Sequence, residues 1–584
     1  MVVAGCQMNN LCNLGEIKIM QTNYKKIESI FLVILVIIYF TWFLFFINKG
    51  IDITDSAYIL TLYKYIFEPE TSTTIGFAMS SILGGIIWKI IPDGQVLILS
   101  IISAFLYAID GLLIYSILKQ YISKIILFIM ILGVSFFSIS WFHVLHYNSW
   151  SMFFLTLEIY FLYQWFKNTN VNYLCICGII YGFNIWIRIP NCVHGICIIA
   201  IVWYIVNKKE KCLWRHVGIM LLAAMLSFLI TTIFVAEIVG ANNLIDGIIN
   251  IFLIGVNTSD QGNGHSFISM FTTIGSYLQH GFYVLIKYVS KIIIICLVEY
   301  VLSKIYTKIV GRSISLLVTQ IISIILGISF GIYTYIYSYA NESALSFYIV
   351  LSIGLSGIGA FKFCRRDLVL SSLCVINFFL ELTIMLGTDN SVLWNIVFLY
   401  FPMGMIGCLC VNLFGNKFKN FGKVFLIFID TLVIIGGIQY ATTYVYRDAE
   451  IDQLKYSIQA VEDKGIKTSV ERATFINNLV ENLKGLPDGE ILCMGDCVIA
   501  SVISDLKPSV KAWPDVDSYS YEQFCMDIDK KIKDGNMPYI LIYDGEEEVS
   551  DISTKKLRKI EQIITLYHYK KLYTDAYFTI YSPS

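Results

Sequence analysis

Charge is what this 584-residue chain has least of: Asp, Glu, Lys and Arg make up 15% of it, against 57% hydrophobic residues and a mean hydropathy of +0.69. So little charge cannot clothe a soluble globule of this length, and the composition predicts a polytopic membrane protein. The net charge of -1 and the scatter of basic residues in small clusters exclude a nucleic-acid partner, which needs a concentrated basic face. Metal-ligand spacing is missing too. Cys493 and Cys497 have no second pair, and many of the 15 cysteines, such as Cys175, Cys177 and Cys296, sit in apolar runs where a thiol is a small buried hydrophobe. Neither structural zinc nor a disulfide scaffold is predicted. No duplication relates one half of the chain to the other, as it does in many secondary transporters.

What is present is a long series of apolar runs. The first, residues 29–47, has the length of a membrane span, and no small-residue cleavage site follows it, so it is expected to stay as an anchor. Lys25 and Lys26 precede it, which puts the N-terminal segment 1–28 in the cytoplasm by the positive-inside rule. Later runs near 95–118, 122–141, 148–166, 172–188, 191–206, 217–238, 276–303, 314–334, 345–363, 367–386, 392–413 and 422–445 read as further spans. Residues 74–91 are different. They are short, carry Gly76, Gly84 and Gly85, and end at Lys89 and Pro92, which suits a helix at the interface. With that run set aside, one parity places the basic connectors inside, among them Lys119 with Lys124, Lys208 with Lys209, and Arg365 with Arg366. The expected fold is an α-helical membrane domain of about thirteen spans over 29–446, with a first outer loop at 48–94, in the cell membrane.

The same parity exports the tail, 447–584, where the composition turns charged and soluble. β-type runs at 490–494, 510–513, 539–543 and 577–581 alternate there with helical patterns near 470–483, 498–505, 521–533 and 553–566. This predicts a C-terminal extracytoplasmic α/β domain with a small layered sheet, lacking a Gly-x-Gly-x-x-Gly fingerprint or a phosphate loop.

The parity also gathers Asp52, Asp55, His143, His146, Arg188, Asp246, Asp260, His265, Glu342 and Asp389 in or beside outer connectors. Asp52 and Asp55 stand out because they lie directly after the first span, in Asp52-Ile53-Thr54-Asp55-Ser56-Ala57-Tyr58. Asp55-Ser56-Ala57-Tyr58 resembles the Asp-Glu-Ala-Tyr stretch in the first outer loop of the GT-C membrane glycosyltransferases, a superfamily that includes protein mannosyltransferases and aminoarabinose transferases. Arg188-Ile189-Pro190 is similar to that family's basic residue followed by proline, and Gly387-Thr388-Asp389-Asn390 resembles an outer turn of some members. The layout of spans, first outer loop and C-terminal domain matches along most of the chain. The motif departs where Asp-Glu becomes Asp55-Ser56, and the later Lys-Pro-Pro stretch is absent.

The resemblance implies transfer of a sugar from a polyprenyl-phosphate donor to a glycan, lipid or protein acceptor on the outer face, with inversion. Asp55 would be the base toward the acceptor, Arg188 the partner of the donor phosphate, and Asp52 an auxiliary acid. The chemistry agrees independently. A glycosidase needs two carboxyl groups because it must protonate an alkoxide, whereas phosphate leaves as a stable anion, so one carboxylate and one cation suffice. An arginine suits the cation, with a fixed fork that matches phosphate oxygens. A divalent cation, Mg or Mn, on Asp55 and Asp52 is the cofactor to be considered.

Each assignment has a plainer rival. Asp55 could cap the helix that follows, and Arg188 could snorkel to the headgroups. His143, His146, Tyr147, His265 and Asp389 could line a pocket or be ordinary interfacial residues, and 241–274 reads as a loop, either a lid or simply flexible. Glu158, Glu237, Glu299 and Glu381 lie within spans and are expected to face the bundle interior, a cavity or an interface. A chain of such acids would also suit the alternative function, a transporter or lipid-linked-sugar flippase.

Overall fold

The computed structural model describes residues 26–68, 75–141, 144–256, 267–310, 316–338, 341–383, 398–413, 419–443, 445–515, 519–544 and 551–584. The membrane half is helical throughout. Helix α1 covers Lys26–Phe46, α2 Asp55–Tyr65, α3 Ala78–Ile90, α4 Gln95–Leu118, α5 Lys124–Trp141, α6 Tyr147–Asn168 and α7 Val171–Ile187. A 3-10 run, Ile189–Cys197, leads into α8 at Ile198–Lys208, followed by α9 at Trp214–Val239, α10 at Ala241–Val256 and α11 at Phe267–Val310. Then come α12 Leu316–Ser338, α13 Asn341–Phe363, α14 Leu368–Thr383, α15 Tyr400–Leu413 and α16 Lys419–Thr443.

Six described helices are long and apolar enough to cross a membrane, and others are apolar but shorter, so the chain is a polytopic membrane protein. Large apolar side chains on α1, α9 and α11, such as Ile37, Ile230 and Ile294, lie exposed, as they do where lipid covers them. The segment 74–91 is a 3-10 turn, Ile75–Phe77, followed by α3, which packs on α2. Glycines permit that approach. A Cβ on Gly84 would stand 2.4 Å from the Tyr63 ring, and one on Gly85 2.4 Å from Ile66 Cγ2.

The tail continues with β1 Tyr456–Ser457, β2 Lys467–Thr468, α17 Val470–Leu483, β3 Glu490–Met494, α18 Ile499–Ile503, β4 Lys507–Pro508, α19 Tyr521–Lys533, β5 Tyr539–Tyr543, α20 Asp551–Leu566, β6 Lys570–Thr574 and β7 Phe578–Ser582. Strands β1 and β2 form a small antiparallel pair, and the other five form one sheet in the order β4-β3-β5-β7-β6. Strands β4, β3 and β5 run parallel, while β7 is antiparallel to both β5 and β6. Ser469 and Ser520 cap α17 and α19 by accepting from the backbone N–H groups of Arg472 and Gln523.

Two expectations need correction. Residues 510–513 are not a strand: pairing with β3 occurs at β4, and Val510 and Ala512 then turn inward to become buried. Residues 241–274 are not one loop, because α10 occupies the first part, with Leu244, Ile248 and Ile251 against Ile75 and neighbours. Of the alternatives for Glu237, the bundle interior is excluded: it is exposed near the end of α9. Glu158 and Glu381 are buried at 2% and 3% exposure, as expected.

The tail is stitched to the segment between α1 and α4. Gly50 N–H donates to Lys467 O at 2.8 Å and Lys467 N–H to Asn48 O at 2.9 Å. The Lys64 ammonium donates to the carbonyls of Val502 and Ser504 at 2.8 and 2.7 Å, and the Tyr65 hydroxyl reaches the same turn. Carbonyls at the C-terminal end of α18, which the helix leaves without an internal partner, are thereby satisfied.

Candidate active site

Asp52 and Asp55 do different work. Asp52 is 3% exposed, its Oδ1 accepts from the N–H and hydroxyl of Thr54 at 3.0 and 2.7 Å, and its Oδ2 accepts from Ser56 N–H at 2.9 Å. It therefore caps α2, satisfying an N–H that the first turn leaves unpaired. The capping role considered for Asp55 belongs to Asp52, which precedes the helix instead of sharing a face with Asp55. Asp55 is the first residue of α2, and its side chain keeps 28% exposure.

The cation beside Asp55 is one that the sequence reading passed over. Arg447 donates through Nη1 to Asp55 Oδ2, and the same nitrogen stands 3.9 Å from Asp52 Oδ2. Arg447 belongs to a turn between Val445 and Ala449 that follows α16, the last helix of the membrane half, and its neighbours are engaged as well. The Tyr446 hydroxyl bonds to Ser56 Oγ, and Asp448 accepts from Ile51 N–H at 3.2 Å, from Ser469 Oγ at 2.9 Å and from the Thr468 hydroxyl. Tyr446 and Arg447 have φ of 54° and 56°, a left-handed pair that non-glycine residues adopt only when their surroundings hold them. Here three consecutive side chains do the holding.

Electrostatics tune Asp55 in opposing directions. Burial and the Asp52 charge push its pKa up to about 6, Arg447 pulls it down, and Asp496, after β3 in the tail, pushes it up again. The group is thus a carboxylate poised to exchange a proton near neutral pH.

Arg188 stands against an aromatic pair, Tyr147 and Phe77. It ends α7 in an extended conformation, its Nη1 donates to Asn148 Oδ1 at 3.3 Å, and its guanidinium lies over the Tyr147 ring at 5.4 Å. Tyr147 stacks on Phe77 at 4.8 Å and feels the charges of both Arg188 and Asp55. The two proposed charges therefore both act on one ring. They do not share the described cavity, which Arg188 lines together with Pro190, Asn191, His194 and Glu381, and which Asp55 does not line.

His146 is a structural residue. Its Nδ1 accepts from Asn148 N–H at 3.2 Å as the N-cap of α6, and it does not line the cavity. Burial, then the Arg188 charge, pushes its pKa down to about 3, so it is neutral. His143, His265 and Asp389 lie outside the described residues. Sequence reading also missed a buried network under Arg188, in which Asn184 Nδ2 donates to Glu158 Oε1 at 3.0 Å and Asn191 Nδ2 to Ser151 Oγ at 2.9 Å and Asn184 Oδ1 at 2.9 Å. The signal was Asn191 and His194 directly after Pro190, where a proline-started 3-10 run turns polar residues inward.

Among the described residues no three His, Cys, Asp or Glu side chains gather as a metal site. Asp52 already accepts three hydrogen bonds and Asp55 is paired with Arg447, so this carboxylate pair as it stands does not fit Mg or Mn.

No family model and no curated protein sequence matches the chain. Among solved structures it is similar to the oligosaccharyltransferase of Archaeoglobus fulgidus in complex with Zn and sulfate, at 11% identity over 87% of this chain and 68% of that one, with a TM-score of 0.48. The same enzyme tethered with an acceptor peptide containing the NVT sequon gives 12% identity, 94% and 74% coverage, and a TM-score of 0.46. ArnT from Cupriavidus metallidurans in the apo state gives 11%, 95% and 98%, and 0.36. Likeness of this degree decides nothing about the reaction.

Proposed function

We propose that the protein is a membrane glycosyltransferase that moves a sugar from a polyprenyl-phosphate donor to an acceptor hydroxyl on the outer face, with inversion. The observation that carries the reading is the partly exposed Asp55 carboxylate, tuned to about 6 beside Arg447, with Tyr147 feeling the charges of both Asp55 and Arg188. Arg447 engages Oδ2 and orients the group, leaving Oδ1 to take the acceptor proton. As that proton leaves, the acceptor oxygen bonds to the anomeric carbon and the bond from that carbon to the phosphate oxygen breaks. The electron pair stays on the lipid phosphate, whose growing charge Arg188 neutralises. One displacement from the face opposite the phosphate inverts the anomeric centre. The acceptor is a glycan, a lipid or a protein hydroxyl.

The second reading, a transporter or flippase, draws on Glu158 and Glu381 buried in the bundle. It assigns no task to the tuning of Asp55. Replacing Asp55 by Asn separates the two: transfer from polyprenyl-phosphate sugars should fall by about two to four orders of magnitude, the range general-base loss produces, with folding and expression unchanged. Undiminished transfer would sink the base assignment.

A further inference from the structure

Glu381 lies in the last turn of α14 and lines the cavity that holds Arg188, and among the described residues no bonded partner engages it. It is 3% exposed, and neither carboxyl oxygen has a hydrogen-bond partner of normal geometry among the described residues. Asn377, one turn earlier, shows what a satisfied neighbour looks like: its Nδ2 donates to Ser352 Oγ at 2.6 Å and to Ser356 Oγ at 2.8 Å. The Ser352 hydroxyl, whose oxygen accepts from Asn377, keeps its proton to offer Glu381. A carboxyl buried among Leu380, Phe398 and Phe401, with that single hydroxyl to turn to among the described residues, keeps acceptor capacity for a ligand, and such a group in a membrane domain marks a ligand path. Across the cavity Asn191 commits its Nδ2 inward to Ser151 and Asn184, whereas Glu381 brings two carboxyl oxygens to the lining.

We propose that Glu381 reads the sugar of the donor, its carboxyl oxygens accepting hydrogen bonds from sugar hydroxyls while the donor phosphate rests on Arg188. This rests on the glycosyltransferase reading above and deepens it by naming the residue that distinguishes a sugar-bearing lipid from a bare one. Discrimination of this kind is steep because a buried acceptor left unpaired penalises the analogue that lacks the hydroxyl.

The test is a binding measurement on the full-length protein in lipid nanodiscs, with polyprenyl phosphate alone and the same lipid phosphate bearing glucose, mannose or arabinose. Wild type should bind its preferred sugar-bearing lipid at least about tenfold more tightly than the bare one. Glu381→Leu should abolish that preference while leaving the Kd for bare polyprenyl phosphate within about twofold, and Arg188→Gln should weaken both. If Glu381→Leu does not fold, Glu381→Gln, of the same shape, carries the test and should cut the preference by at least about threefold. A preserved preference in these variants, or equal loss for both lipids, would overturn the assignment of Glu381. Wild type that binds neither lipid would instead overturn the glycosyltransferase reading itself.

Discussion

At the scale of single residues, the site turns on which cation sits beside Asp55. The sequence offered Arg188, through its proline context, but the direct partner is Arg447, 392 positions along the chain from Asp55. The acid was legible because it follows a span. The arginine was not, because no local pattern announces a contact between the outlets of the first and last helices, although a basic residue at an outer outlet was a signal to be followed. The tuning of Asp55 has a signed consequence. A base works when ionised, so kcat/KM should lose about tenfold per pH unit below a limb near pH 6, the value to which burial and Asp52 raise this carboxyl. Arg447 acts in the opposite sense, so Arg447→Gln should move the limb to higher pH, and a pH-rate profile of the variant reads it. A limb that stays in place would show that the ion pair does not set the ionisation of the base.

At the scale of elements, helix boundaries were legible wherever apolar runs end at caps or glycines. Strands β3 and β5 and helices α17 and α19 fall where the alternation predicts, because each buries one face in the sheet core. Strand β6 was missed since its residues are nearly all exposed, and an edge strand of lysines and tyrosine shows no period of two. Helix α10 was missed because Gly240, Asn242 and Asn243 resemble a loop opening, whereas Gly240, at φ of 90°, ends α9 and lets the next helix start at once. The pair α2 and α3 supplies a test at this scale. Tyr63 fills the space over Gly84 and donates from its hydroxyl to Leu145 O at 2.9 Å, next to the cap of α6. Gly84→Ala drives a methyl into that ring, and overpacking of this kind costs about 1–3 kcal/mol. The variant should melt at a lower temperature and lose transfer activity together, whereas Gly354→Ala, where a Cβ meets nothing within 4 Å, should leave both unchanged.

At the scale of the whole molecule, the composition gave away the membrane and the soluble tail, but not that the two are one body. Part of the interaction runs through backbone groups, such as Gly94 N–H to Val461 O at 3.0 Å and Val96 N–H to Glu462 O at 3.1 Å, which leave no trace in residue type, and the side chains that join it, such as Lys64 and Arg447, lie hundreds of positions from their partners. The expected sidedness, tail outside and basic connectors inside, follows from charge parity and can be read in intact cells. A membrane-impermeant maleimide should label the partly exposed Cys525 of the tail and spare the exposed Cys212 beside Lys211, a labelling ratio that inverted sidedness would reverse. The turn at 445–449 has a consequence for biosynthesis. Because Arg447 arrives only after the last transmembrane helix, every shorter nascent chain carries Asp55 at the membrane surface without its counter-charge. On the proposed function, the Asp55 site is therefore completed only once residue 447 has been made, and a chain released before that point is expected to be inert toward lipid-linked sugars.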